Sequence, residues 1–444
     1  MQNLLILGAG RSASSLISYW CSNAEAYQVF ITVADPQLEL AQSKVNGCTL
    51  AKAISFNVEN KEETAQLIAD ADLVISMLPA HLHLIVAEHC LERNRNLLTA
   101  SYASNEIKAL HSKAIDKGII IMMECGLDPG LDHMSALRII HHLKAKNASI
   151  TSFKSYCGGL VAPESDTNPW HYKFSWNPRN VILAGQGTAR YLDQNMLKYI
   201  PYPQLFLRTE KFEIPHVGVW EGYANRDSLS YIQLYGLETC QTFVRGTLRG
   251  EGYCEAWAQL IKLGLTDDSF TIDITNGVTW LELIKSFLPV NKPSLTIEQQ
   301  LADYLKIDIH SALFQQLIWL DILSDQPLVL ANASPAQHLQ HLLEQKWKLE
   351  ETDKDMIVMV HEFEYQLDGQ QKKLLSSLKS IGDDQVYTAM AKTVGLPLAI
   401  ASKMILKGEI QKTGVVLPLT ADIYEPILNE LANLGIAFEE HHIE

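Results

Sequence analysis

The sequence is short of positive charge: 36 lysines and arginines stand against 51 aspartates and glutamates, a net charge of −15. Nucleic acids and anionic membranes are bound by basic surfaces, so neither is an expected partner. Long apolar runs are also lacking. None approaches the ~18 residues that would span a bilayer. The opening NLLILGAG has neither the basic start nor the small-residue cleavage site of a secretory leader. The seven cysteines, at 21, 48, 90, 125, 157, 240 and 254, come no closer than 14 residues (240 to 254). That spacing leaves no CxxC zinc or redox motif and points to buried thiols in a reducing cytoplasm. His81, His83 and His89 have no carboxylate in register, so no metal is expected, and the first two read as helix-start residues.

What is present is a chain of 444 residues, enough for two or three domains. Apolar strand-like runs at 3–7, 28–34, 51–56, 72–78, 96–100 and 118–123 alternate with helical patterns at 11–20, 60–70, 82–93 and 105–117. That alternation predicts an α/β fold with a doubly wound parallel sheet covered on both faces. From about residue 150 the texture changes. Residues 151–250, rich in Gly, Pro, Tyr and Trp, predict mixed strands and long loops, and 252–325 carries the three-to-four spacing of helices. Residues 356–367 alternate like a strand and run into Asp368-Gly369, a hairpin turn. The tail, 385–444, is helix-rich again.

The first strand leads directly into Gly8-Ala9-Gly10-Arg11-Ser12-Ala13, a G-x-G-x-x-A loop that opens a helix. The first glycine permits the tight turn, and the second lets a pyrophosphate approach the backbone. The small third residue allows close helix–strand packing. An acid, Asp35, ends the second strand, where its carboxylate could accept from ribose hydroxyls or simply cap the turn before Pro36. The loop predicts a bound dinucleotide. Ser76-Met77-Leu78 would form the wall on the nicotinamide side.

Ligands of open α/β sheets bind at the carboxyl ends of the strands. Polar clusters stand there: Ser101-Tyr102 after the fifth run, and Glu124 to Asp132 after the sixth. Further on come Cys157-Gly158-Gly159, Lys173 to Trp176, Asn225-Arg226-Asp227 and Arg245-Gly246-Thr247-Leu248-Arg249, each in a Gly- or Pro-bounded stretch. Two arginine clusters suit an anionic substrate with at least two carboxylates. A surface ion pair would explain either one alone.

These motifs resemble the saccharopine dehydrogenase family, the L-glutamate-forming kind. The resemblance is carried by LVISMLPAHLH, LLTASYAS, ECGLDPGLDHM, SYCGGLVAPESDTNPWHYKFSW, EGYANRDS and VRGTLRGEGY, in family order from residue 8 to about 255. It looks most like the dehydrogenase half of bifunctional lysine-degrading enzymes. Val161 and Ala224 stand where the family usually has proline, and neither replaces a reactive group. The resemblance implies a Rossmann domain of residues 1–130 plus 385–444. It also implies a substrate and dimerisation domain of 131–251 plus 326–384, with a helical insertion at 252–325. A homodimer is the implied assembly.

The implied reaction oxidises saccharopine, a secondary amine with three carboxylates, and hydrolyses the imine to L-glutamate and 2-aminoadipate 6-semialdehyde. On the resemblance, Asp128 handles the proton or binds the amine, with Cys157 sharing the role. Lys173 is an acid/base group, a carboxylate partner or a solvated lysine. Ser101, Tyr102, Arg226, Arg245, Gly246 and Thr247 hold carboxylates, while Leu127 and Ser175 border the cofactor beside Ser101 and Asp128. Two rival readings are an imine reductase acting on a carboxylated polyamine and a non-catalytic nucleotide sensor. NAD is the expected cofactor ahead of NADP, because Asp35 would repel a 2′-phosphate. Pro36, Gln37 and Leu38 offer that phosphate no cation, and Lys44 reads as solvated.

Overall fold

A computed structural model describes residues 1–274, 277–289 and 294–443. The chain falls into two compact units. The first comprises Met1–Ile150, Leu234–Leu237 and Phe363–Glu444, and the second Thr151–Gln233 and Glu238–Glu362.

The first unit begins with β1 (Gln2–Leu7), α1 (Ser14–Tyr27), β2 (Val29–Asp35), α2 (Leu38–Val45), β3 (Ala51–Ser55), α3 (Lys61–Ala69) and β4 (Leu73–Ser76). It continues with α4 (His83–Arg93), β5 (Asn96–Thr99), α5 (Asn105–Lys108), α6 (His111–Asp116), β6 (Ile120–Met122) and α7 (Leu131–Ala145). The strands lie in the order β3-β2-β1-β4-β5-β6, all parallel. Leu4 to Leu7, Leu73 to Ile75 and Ile120 to Met122 are buried on both faces of the sheet. Their uninterrupted apolar runs reflect this. Strand order reverses between β1 and β4, which places a crevice at their carboxyl ends. The helix expected over 105–117 is split into α5 and α6 by a tightened turn in which Leu110 N–H donates to Ile107. α2 escaped sequence reading because it buries a single residue, Ala41.

The second unit carries β7 (Ser149–Val161), α8 (Pro178–Ile182), β8 (Ala189–Asp193), β9 (Met196–Ile200), α9 (Tyr202–Leu205), β10 (Thr209–Ile214), β11 (Gly218–Ala224), α10 (Ser230–Leu234) and β12 (Thr242–Arg249). Then come α11 (Tyr253–Leu263), α12 (Trp280–Phe287), α13 (Ile297–Leu305), α14 (Ala312–Ile318), α15 (Pro335–Lys346) and β13 (Asp355–Leu367). Its mixed sheet runs β10-β11-β12-β7-β13, with β12 antiparallel to β11 and parallel to β7. Capping boxes start α12 (Thr279 and Glu282), α13 (Thr296 and Gln299) and α15 (Ser334 and Gln337). Each satisfies two backbone donors that a helix end leaves without partners.

β13 crosses into the first unit, where it turns at Asp368 (φ 53°) and Gly369 (φ 76°) into β14 (Gln370–Ile381). Both turn residues are left-handed, as a two-residue hairpin requires and as the Asp-Gly pair predicts. The tail then adds α16 (Ala389–Leu406), β15 (Gly414–Val416), α17 (Ala421–Asn433) and β16 (Glu439–Ile443). β15 pairs in parallel with β6 and so extends the sheet.

The expectation of no membrane-length apolar run is corrected by α16. Its 18 residues have a mean hydropathy of 1.4, long and apolar enough by length and composition to cross a bilayer. Lys392 and Lys403 interrupt the run and disguise its length. It is a core helix, 72% buried in the first unit. Trp20 of α1 donates to Ser402 at 3.0 Å. Lys403 pairs with Glu430 of α17.

At the α1–α16 crossing, a Cβ on Gly395 would stand 2.8 Å from the backbone nitrogen of Leu16. Backbone cannot yield as a side chain can. Gly395→Ala is therefore expected to destabilise the fold by about 1–3 kcal/mol, although alanine is the better helix former. Urea unfolding measures this, and unchanged or increased stability would contradict the close crossing.

Candidate active site

The loop between β1 and α1 is built for close approach. Gly8 has φ +99°, and a Cβ there would lie 3.0 Å from the carbonyl oxygen of Met77. Gly10, by contrast, has nothing within 4 Å of where a Cβ would stand, so its backbone faces open space. Ala13 is buried under α1. Arg11 is exposed and Ser12 half-buried. The open glycine edge fits a dinucleotide pyrophosphate.

Asp35 is tied back into the fold. Its Oδ2 accepts from Ala9 N–H at 2.8 Å and its Oδ1 from Gln37 N–H at 2.9 Å. Beyond the strand ends, a cavity of about 450 Å³ is lined by Pro36, Ser55, Phe56, Asn57 and Glu63. Lys44 is not a solvated lysine. It is half-buried, 2.6 Å from Ser14 Oγ, and burial holds its pKa below the ordinary value.

At the ends of β4 and β5, polar side chains converge on one imidazole. His83 Nδ1 lies 2.9 Å from Ser76 Oγ, and its Nε2 lies 2.7 Å from Ser101 Oγ and 3.2 Å from Thr99 Oγ1. Burial first, and then His81, push the His83 pKa down to about 4, so the ring is neutral. Met77 and Leu78 follow β4 directly; Met77 N–H donates to Leu7 at 2.8 Å.

The acid-rich stretch after β6 sorts into two groups. Glu124 and Asp132 point inward and Asp128 does not. Glu124 is only 2% exposed; its Oε1 accepts from Ala103 N–H at 3.1 Å and its Oε2 lies 2.9 Å from His133 Nε2. His133 Nδ1 meets Tyr235 OH at 2.5 Å and Asp132 Oδ2 at 3.3 Å. Asp132 Oδ1 accepts from Gly130 N–H at 2.7 Å. The network therefore holds both loops that flank the outward pair, in which Tyr102 OH donates to Asp128 Oδ1 at 2.7 Å. Gly130, at φ +143°, packs against Gly126 so tightly that a Cβ would meet its backbone at 2.3 Å. Leu127 is buried within this turn, and Cys125 is a buried thiol pushed up to about 12 by burial.

In the second unit, Arg245 and Thr247 share one face of β12, and Thr247 is in register with Cys157 of β7. Arg245 is buried, with its guanidinium 4.2 Å from the Tyr231 ring centroid. Gly246 points to the other face, where a Cβ would stand 2.1 Å from the Tyr156 ring. Packing alone demands a glycine there. Arg226 is exposed, in a loop anchored by Asn225 N–H donating to Arg245 O at 2.8 Å. Lys173 is buried and paired with Asp353 at 2.6 Å, which removes the solvated reading. Ser175 is buried beside it in sequence. Arg249, the other arginine of the 245–249 cluster, sits among the rings of Tyr172, Tyr223 and Tyr253 at 5.3, 5.9 and 5.3 Å.

Comparison with known proteins decides the family. Residues 4–122 match the saccharopine dehydrogenase NADP binding domain, and residues 126–436 match the saccharopine dehydrogenase C-terminal domain. The chain belongs to the saccharopine dehydrogenase family. It is 32% identical to saccharopine dehydrogenase [NADP(+), L-glutamate-forming] of Saccharomyces cerevisiae, covering 99% of each chain. The apo structure of the L-Glu-forming enzyme from that yeast superposes with a TM-score of 0.90 at 31% identity, over 100% of both chains. The bovine mitochondrial alpha-aminoadipic semialdehyde synthase is 36% identical over 98% of this chain but 47% of its own length. The chain thus spans about half the length of the synthases it matches.

Two expectations fall. The preference for NAD over NADP is overturned by fungal family members named for NADP(+). Asp35 is a poor guide to the cofactor because both its oxygens are held by backbone amides of its own loop. The cytoplasmic expectation is overturned by mammalian family members named as mitochondrial. Free thiols fit any reducing compartment and cannot tell one from another.

What sequence reading missed is a supporting role: that of His133, Thr99 and His83, and that of Glu124, which it read only as part of a polar cluster. Glu124 and His133 sit nine positions apart across a turn, and no helical or strand period links them. Burial opposes the Glu124 charge, but the hydrogen bond and charge of His133 outweigh it and leave the carboxyl below its ordinary 4.5. A lowered folded pKa contributes stability above about pH 4.5 and loses it as pH falls through the folded value. Glu124→Gln is expected to cost about 3–5 kcal/mol at neutral pH, with the deficit shrinking in acid below about pH 4.5. Urea unfolding against pH reads both, and a pH-independent deficit would contradict the ionised carboxylate.

Proposed function

We propose that this chain oxidises saccharopine at the lysine-skeleton carbon bonded to the bridging nitrogen, releasing L-glutamate and 2-aminoadipate 6-semialdehyde. The observation that carries the reading is the full-length match to the yeast L-Glu-forming enzyme, in sequence and in fold. The dinucleotide, NADP on the names of the fungal members, supplies a two-electron hydride acceptor when bound.

The chain's own groups do the rest. The open edge of the glycine loop at Gly10 would hold the pyrophosphate, and Ser76, Met77, Leu78, Leu127 and Ser175 would border the nicotinamide. Asp128 accepts the amine proton as the carbon loses hydride. The Tyr102 hydroxyl, 2.7 Å from Asp128 Oδ1, orients that carboxylate. Water then adds to the imine carbon and the C–N bond breaks, with Asp128 and the Cys157 thiol sharing the proton transfers. One water is consumed and one proton released overall. Ser101, Thr247, Arg226 and Arg245 hold carboxylates, while Lys173, paired with Asp353, is a fixed cation. We assign the three-domain division of the family to this chain, and a homodimer as its working form.

The experiment is an absorbance assay of nicotinamide reduction with saccharopine and each cofactor. NADP is expected to give the higher kcat/KM. Arg245→Ala, which removes a buried charge, is expected to raise the saccharopine KM by the equivalent of about 2–5 kcal/mol, and the exposed Arg226→Ala by less. Cofactor Kd stays unchanged in both. No turnover of saccharopine with either cofactor would refute the reading. Turnover of a carboxylated polyamine instead would favour the rival reductase.

A further inference from the structure

Ser76, His83 and Ser101 form a continuous hydrogen-bonded chain across the carboxyl ends of β4 and β5. A neutral imidazole donates from one nitrogen and accepts at the other, so the direction of every bond in this chain is coupled. Ser76 is 0% exposed, and the one partner for its hydroxyl among the described residues is His83 Nδ1, at 2.9 Å. The Ser76 O–H donates there, which places the ring proton on Nε2. Nε2–H then donates to Ser101 Oγ at 2.7 Å. Thr99 Oγ1 lies 3.2 Å from the same nitrogen, longer than the 2.9 Å between Ser76 Oγ and Nδ1, so of these two hydroxyls Ser76 is the closer donor to the ring.

The remaining proton is that of the Ser101 hydroxyl, and Ser101 is the one member of the chain that is not buried. We propose that His83 is a positioning residue: protonated on Nε2, it fills the acceptor side of Ser101 and turns the Ser101 O–H outward to donate to a substrate carboxylate. The inference rests on the reading of Ser101 as a carboxylate-binding residue, and extends it by naming what fixes the direction of its proton. Aligned donors in a chain polarise one another, which strengthens the outermost bond. Burial keeps the ring neutral at physiological pH, so the single N–H persists there. The opposite tautomer would aim the Ser101 proton at the ring and leave a lone pair facing the carboxylate.

Two measurements test this. The first is 15N NMR of the imidazoles in the intact wild-type protein without ligand, with His83 assigned by the loss of its signal in His83→Gln. Protonation at Nε2 is expected, and protonation at Nδ1 overturns the proposal. The second is steady-state kinetics with saccharopine. Asparagine reaches about as far as Nδ1, and glutamine about as far as Nε2. His83→Asn is therefore expected to raise the saccharopine KM about tenfold, as Ser101→Ala does. His83→Gln, which can still donate to Ser101, is expected to stay within about threefold of wild type. The double variant His83→Asn/Ser101→Ala is expected to be no worse than Ser101→Ala alone. Multiplying effects, or a glutamine variant as impaired as the asparagine one, would overturn the proposal. A wild-type protein inert towards saccharopine would sink the function instead, while the NMR result would still decide the tautomer.

Discussion

A glutamate and a histidine, both shut off from water, meet 2.9 Å apart behind the ends of β5 and β6. Much of the first unit's site hangs from that contact. Through its second oxygen Glu124 holds the amide after Tyr102. Through Asp132, His133 reaches the amide two residues after Asp128. Glu124 itself sits at φ 56°, a left-handed conformation that a residue with a Cβ adopts at some cost. Its hydrogen bonds to Ala103 N–H, His133 and Ser101 O offset that cost and make the position of the outward Tyr102–Asp128 pair a consequence of buried electrostatics. Removing His133 would leave the Glu124 carboxylate without its closest partner in a low-dielectric interior, a far larger penalty than losing an exposed ion pair.

The parallel sheet was legible because its inner strands, β1 and β4 to β6, are buried on both faces over most of their length and therefore run continuously apolar. The glycine loop was legible because backbone approach to a phosphate admits so few residue types. The Asp368-Gly369 hairpin was legible because both its residues must turn left-handed. Less regular features were not. α2 rests on one buried alanine, and α16 hides its length behind two lysines whose side chains reach other elements. Gly246, taken from the family motif as a binding residue, has a packing explanation that no motif could show: the Tyr156 ring occupies the space of its side chain.

At the site, sequence reading found the groups that stand at strand ends and missed those that hold them there. Asp128 and Ser101 announce themselves by position after apolar runs. His83 and His133 do not, since a histidine in a helical segment looks the same whether it faces solvent or orders a hydroxyl. The inference from Asp35 to NAD failed for a similar reason. The residue was read correctly as a strand-end acid, but its oxygens serve the loop that they support. Charge in a sequence says nothing about which partner has already claimed it.

The account's central claim is that hydride leaves the lysine-skeleton side of the bridging nitrogen. Saccharopine deuterated at that methylene, turned over with NADP and analysed by mass spectrometry, tests it directly. The account predicts deuterium in the reduced nicotinamide, with L-glutamate and the semialdehyde formed in equal amounts. Unlabelled reduced cofactor, with lysine and 2-oxoglutarate as the products, would contradict it.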